Sequence, residues 1–194
     1  TPTPTATHTT TPTFTPSPTP PKGNLTLVVL SQSRLERRYG KERINVFLSK
    51  LNRLLEHNTV RGEIVDLDVN PSLRNLFQEW DANTQRLISS TAAQREQNVL
   101  KANLAATAIK TIVGNQRDKV RNESVEYLLL IGSDEIIPHY RLPDISRSKH
   151  TESNYVFDPT HPLGAALKAN YLLIDDFYAD ASPKLYQILD REFY

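Results

Sequence analysis

The sequence predicts an α/β fold built on a mostly parallel, doubly wound sheet with helices on both faces, and three observations predict it. The first is a pair of unbroken apolar runs, LTLVVL at 25–30 and YLLLI at 127–131, of the kind that strands buried on both faces show. The second is the apolar spacing of three and four residues in the segments between them, which marks amphipathic helices. The third is the abrupt change at Gly132, where YLLLI gives way to the polar and acidic GSDE. A buried strand that empties into such a loop is ending at its carboxyl edge, where ligands gather in open α/β sheets.

Each element follows in order. Residues 25–30 form the first strand and empty into Ser31-Gln32-Ser33-Arg34. The segment SRLERRYGKER, 33–43, is locally basic but carries two glutamates, and reads as a solvated loop or helix face. A helix fits 42–57, where Ile44, Phe47, Leu48, Leu51, Leu54 and Leu55 share one side. Arg61-Gly62 turns the chain into a second strand at 63–68, completing a βαβ unit. Leu73, Leu76, Phe77 and Trp80 make a short helical stripe, and Trp80, the single tryptophan, is expected to pack under a loop. Residues 84–91 are polar and read as irregular, and a long helix fits 92–114, ending at Gly114-Asn115. The third strand is 127–131. The chain from 144 onward is loop-rich, and a fourth short strand, 171–174, ends in Asp175-Asp176.

Residues 1–22 have a different character. The first 21 hold ten Thr, seven Pro and no charged side chain, so ordering them would cost entropy with nothing to bury. Proline at this density favours extended polyproline II, a spacer of roughly 60 Å at about 3.1 Å per residue. Thr/Pro tracts of this type are typical of exported, O-glycosylated stalks. A start in mid-repeat without Met leads us to expect a segment of a longer, extracellular or surface-exposed protein. The formal net charge of +1 argues against a dedicated nucleic-acid binder. No apolar run reaches the length of a membrane span. Asn24-Leu25-Thr26 and Asn122-Glu123-Ser124 match the N-glycosylation triplet, a short pattern that is common by chance.

Acidic residues sit at the predicted strand ends: Asp66 and Asp68, then Asp134 and Glu135, then Asp175, Asp176 and Asp180. All are expected along one edge of the sheet. Asp175, Asp176 and Asp180 are candidate oxygen ligands for Ca²⁺, or a carboxylate pair for acid–base work. The alternative is that they cap turns and helix N-termini. The five histidines, His8, His57, His139, His150 and His161, form no HExxH or HxH, which argues against zinc. His139 follows the Ile-Ile-Pro step and could lie near a cleft. There is no GxSxG elbow, no P-loop and no GxGxxG, and with no Cys the chain holds no thiol nucleophile.

Four stretches of this sequence taken together, YLLLIGSDEIIPHYRLPD, Ser153-Asn154-Tyr155, LIDDFYAD and the opening LTLVVL with the helix after it, resemble the gingipain-type cysteine peptidases. In that family an apolar strand ends in a Gly-Asp turn and an Ile-Pro step, and an Asp-x-x-Tyr segment precedes the strand leading into the catalytic half. The matching positions are Gly132, with Ser133 next and Asp134 one place later, Ile137-Pro138, and Asp175 to Tyr178. The resemblance implies a Rossmann-like, caspase-like fold for residues 23–194, as the N-terminal portion of an exported cysteine endopeptidase acting on polypeptides. Its Cys–His dyad would lie beyond residue 194, so no catalytic residue is assigned here. No cofactor is implied beyond structural Ca²⁺, which family members often bind and which adds to the metal reading of Asp175, Asp176 and Asp180. The other reading is a non-catalytic, surface-tethered binding or scaffold module of the same fold.

Overall fold

A computed structural model describes residues 24–120, 125–144, 154, 158 and 160–180. The Thr/Pro segment 1–22, the triplet at 122–124, His8, His150, Ser153, Tyr155 and the last residues of the chain lie outside the described residues.

Strand β1 (Leu25–Leu30) is the centre of a three-stranded parallel sheet of order β2-β1-β3, between β2 (Gly62–Asp66) and β3 (Val125–Leu130). Val28 lies opposite Ile64 on one side and Leu129 on the other. Leu27 to Leu30 are almost wholly buried, so both faces of β1 are covered. The first crossover runs outward from β1 to β2 and the second runs back past β1 to β3, and right-handed connections then set their helices on opposite faces. Helices α1 (Gln32–Tyr39) and α2 (Lys41–Leu55) form the first crossover, and α3 (Pro71–Thr84) and α4 (Ala92–Lys119) the second.

Local chemistry fixes the helix ends. Ser31 caps α1 by accepting from the Arg34 N–H, and Asn70 caps α3 by accepting from Leu73 N–H, with Pro71 in the first turn. Thr91 and Gln94 form a reciprocal capping box on α4. Gly40, at φ 89°, supplies the left-handed step by which the chain leaves α1 and starts α2 at once. The segment 33–43, read as a solvated loop or helix face, is therefore a helix of its own joined to the next.

Two strand expectations are corrected. The strand expected to be buried on both faces is β3, yet Tyr127 is 59% and Leu129 42% exposed, because among the described residues β3 is the sheet's outer strand. The strand at Tyr171–Ile174, β5, does not extend the parallel sheet. It pairs antiparallel with β4 (Tyr140–Pro143), Arg141 opposite Leu173, in a separate two-stranded sheet. The long helix also continues past Gly114 to Lys119, and the irregular stretch at 84–91 holds a short 3-10 turn, Gln85–Ser89.

Helix α4 joins the two sheets. Its buried stripe of Ala102, Ala105, Ala106 and Ile109 allows close approach, and it packs against α3, β4 and α5 (Pro162–Lys168). Trp80 is buried on α3, as expected for a packing side chain, and its indole N–H donates to Asn98 Oδ1 on α4. No helix of the described residues is long and apolar enough to cross a membrane.

Candidate functional site

The strand-end acids are held apart by separate duties. Asp68 is a clamp between the ends of β1 and β2: its carboxylate accepts from Ser31 Oγ at 2.6 Å, Ser33 N at 2.6 Å and Ser33 Oγ at 2.9 Å. Asp66 accepts from the Asp68 N–H. Asp134 is buried and pairs at 2.6 Å with Arg141, which is wholly buried on β4. Its second oxygen accepts from the His139 N–H, so His139 enters this network through its backbone. Asn103 of α4 brackets Arg141 by accepting from its N–H and donating to its carbonyl.

Gly132 makes that arrangement possible. At φ 136° it occupies a conformation that side chains disfavour, and a Cβ there would approach Ile136 to 2.7 Å. The chain then winds tightly, with the Ile136 and Ile137 N–H groups both donating to Ser133 O.

The segments 132–141 and 174–180, which carried the family resemblance, meet in one buried cluster. The Tyr178 hydroxyl donates to the Pro138 carbonyl, and Tyr140 stacks on Phe177 with ring centroids 4.2 Å apart. Burial pushes the Tyr178 phenol well above its usual range; Arg141 pulls it back in part and Asp134 adds to the rise.

Asp175, Asp176 and Asp180 lie on the 3-10 turn after β5 and just past it. Among the described residues no group of three or more His, Asp or Glu side chains is disposed to hold a metal ion. Asp176 and Asp180 face a cation of the fold, Lys110 of α4. Its Nζ donates to Phe177 O at 2.7 Å and lies 4.2 Å from the Phe177 ring centroid. Partial burial lowers the Lys110 pKa, and Asp180 and then Asp176 offset that effect.

A cavity of about 330 Å³ opens elsewhere, between α1, α3 and the loop after β3. Arg34 stands in its wall, 9% exposed, and is fully engaged. Its fork holds both oxygens of Asp81 at 2.9 Å, and Nε and Nη2 donate to Glu135 O at 3.1 and 2.6 Å. The guanidinium also lies 4.5 Å from the Phe77 ring centroid and 5.4 Å from that of Trp80. Arg37 and Arg38, 68% and 62% exposed, also line the cavity. Arg37 reaches Asp81 through one nitrogen at 3.2 Å, and Arg38 approaches Glu135 to only 3.6 Å.

His161 completes the surroundings of Glu135. Its Nδ1 accepts from the Leu163 N–H, so Nε2 carries the hydrogen it presents to Glu135 Oε1 at 2.7 Å. Sequence reasoning missed this site. It took the three arginines for a solvated run, gave His161 no role, and singled out Glu135 only as one strand-end acid among several. The one available signal was position, since SRLERR follows β1 directly and GSDE follows β3.

Those two strands lie side by side, and the cavity opens beside their carboxyl ends, the edge at which open α/β sheets bind ligands. The chain has no significant match among protein-family models, curated proteins or solved structures.

Proposed function

We propose that residues 23–194 are the N-terminal portion of an exported gingipain-like cysteine endopeptidase, carried on a Thr/Pro stalk. The observation that best supports this reading is the buried contact between the Ile-Pro step and the Asp-x-x-Tyr segment, made by the Tyr178 hydroxyl on the Pro138 carbonyl. Two stretches 40 residues apart in sequence, each part of the resemblance, act as one structural unit beside the carboxyl end of β3. Among the described residues β3 has a partner strand on one side only, which adds support, since further parallel strands of the domain would continue the sheet there.

In this role the portion supplies the sheet scaffold and one wall of a cleft for a polypeptide. The nucleophile is a Cys thiolate activated by a His, both downstream, with backbone N–H groups stabilising the oxyanion. The chain has no Cys, so residues 1–194 alone are expected to show no thiol-dependent cleavage. A product extended beyond Tyr194 to include a His-Gly and a Cys at successive strand ends is expected to cleave casein and to lose that activity with iodoacetamide. Iodoacetamide-sensitive cleavage by the 194-residue chain, or an extended product inert towards peptides, overturns the reading.

A surface-tethered binding module of the same fold is the second reading, and the cavity beside the carboxyl ends of β1 and β3 favours it. A downstream sequence lacking Cys would select it.

A further inference from the structure

We propose that the cavity between α1, α3 and the loop after β3 binds a single carboxylate attached to an apolar body, with Arg37 and Arg38 receiving the carboxylate. Its volume, about 330 Å³, falls at the lower end of small-molecule sites. Trp80, Ile136 and Pro162 give it apolar surface, and the charged groups come from α1, Asp81 and Glu135.

Charge selects the ligand class. Arg34 is saturated by Asp81 and the Glu135 carbonyl, so it shapes the wall and is not a docking group. Arg37 spends one nitrogen on Asp81, and Arg38 makes only the 3.6 Å approach to Glu135, among the described residues. Two adjacent, solvent-facing guanidiniums therefore keep donors in hand, and their planar forks suit carboxylate oxygens. Three guanidiniums against the carboxylates of Asp81 and Glu135 leave one positive charge in the lining. One carboxylate balances that charge. A phosphate dianion overshoots it by one charge and is repelled more strongly than a carboxylate by Asp81 and Glu135.

Two sources carry this chemistry: a free aromatic or aliphatic acid, and the C-terminal carboxylate of a peptide ending in an apolar residue. The inference does not depend on the peptidase reading, because it concerns binding and requires no thiol.

The test is calorimetric titration of the full 194-residue chain with phenylacetate, phenylacetamide, inorganic phosphate, and the tripeptide Gly-Gly-Phe with a free or an amidated C-terminus. Saturable binding of phenylacetate or of the free-acid peptide is expected, at least tenfold tighter than that of its amide. The source is read from which acid binds more tightly. The double variant R37Q/R38Q is expected to lose at least tenfold in affinity with an unchanged circular dichroism spectrum, since both side chains are mostly exposed. R37K/R38K, which keeps the charge without the fork, is expected to fall between them, and it decides the matter should R37Q/R38Q misfold. Amides binding as well as acids, phosphate binding more tightly than either acid, unchanged affinity in the variants, or no saturable binding at millimolar concentration would each overturn the proposal.

Discussion

Tyr178 is the side chain on which two distant loops converge, and its burial has a consequence for alkaline stability. In the unfolded chain its phenol ionises near 10.0, whereas in the folded chain desolvation keeps it protonated well beyond that. Above 10.0 the unfolded state sheds a proton that the native state keeps, so stability falls as pH rises; below 10.0 Tyr178 contributes no slope. Tyr178→Phe should lose about 1 kcal/mol near neutrality with the hydrogen bond to Pro138, and should remove this part of the alkaline slope. Urea unfolding near pH 8 and near pH 11 checks it: the gap between wild type and variant should narrow at the higher pH, and a constant gap refutes the assignment. Single residues also show what a sequence conceals. Asp134 was visible as a strand-end acid, but its partner Arg141 lay in a stretch where no pattern marked an element. That partnership exists only once β4 has paired with β5. Arg34 looked like one more surface arginine because Asp81, which desolvates with it, is 47 residues away.

At the scale of elements, an unbroken apolar run located β1, and apolar spacing located α2 and α3, each of which buries a stripe; it also found α4, whose buried stripe is carried by Ala102, Ala105 and Ala106 while Leu100 and Leu104 are exposed. It failed where tertiary pairing sets the structure. Tyr140–Pro143 is too short, and too interrupted by Arg and Pro, to read as a strand, yet β5 makes it one. Gly114 read as a helix end, but α4 continues through it to Lys119. A Cβ at Gly114 meets nothing within 4 Å, and its φ is not left-handed, so the glycine costs helix stability without serving a contact. Gly114→Ala should therefore raise unfolding stability by about 0.5–1 kcal/mol, measured as a higher urea midpoint at unchanged m-value. A lower midpoint would show that this stretch of α4 needs the glycine.

For the whole molecule, the governing feature is the asymmetry of the parallel sheet. The sequence marked both β1 and β3 as buried strands, since apolar runs look alike wherever they sit. Only the order β2-β1-β3 separates the enclosed strand from the outer one, and strand order is a property of the assembled molecule. An outer strand bearing exposed Tyr127 and Leu129 invites edge-to-edge pairing. The 194-residue chain should therefore self-associate with rising concentration, and Leu129→Lys should shift it toward monomer in sedimentation velocity. A wild-type chain that stays monomeric at high concentration would contradict this. The same sheet has a history in time as well as a shape. Leu25 is matched with Val125, one hundred positions later. At about 5–20 residues per second, a ribosome exposes β1 for roughly 5–20 s before its second partner is made. Through the later part of that interval β1 has β2 on one flank, while its partner on the other, β3, is still to be made. Its survival in the cell then becomes a race between the advancing ribosome and the chaperones or aggregates that can seize the bare flank.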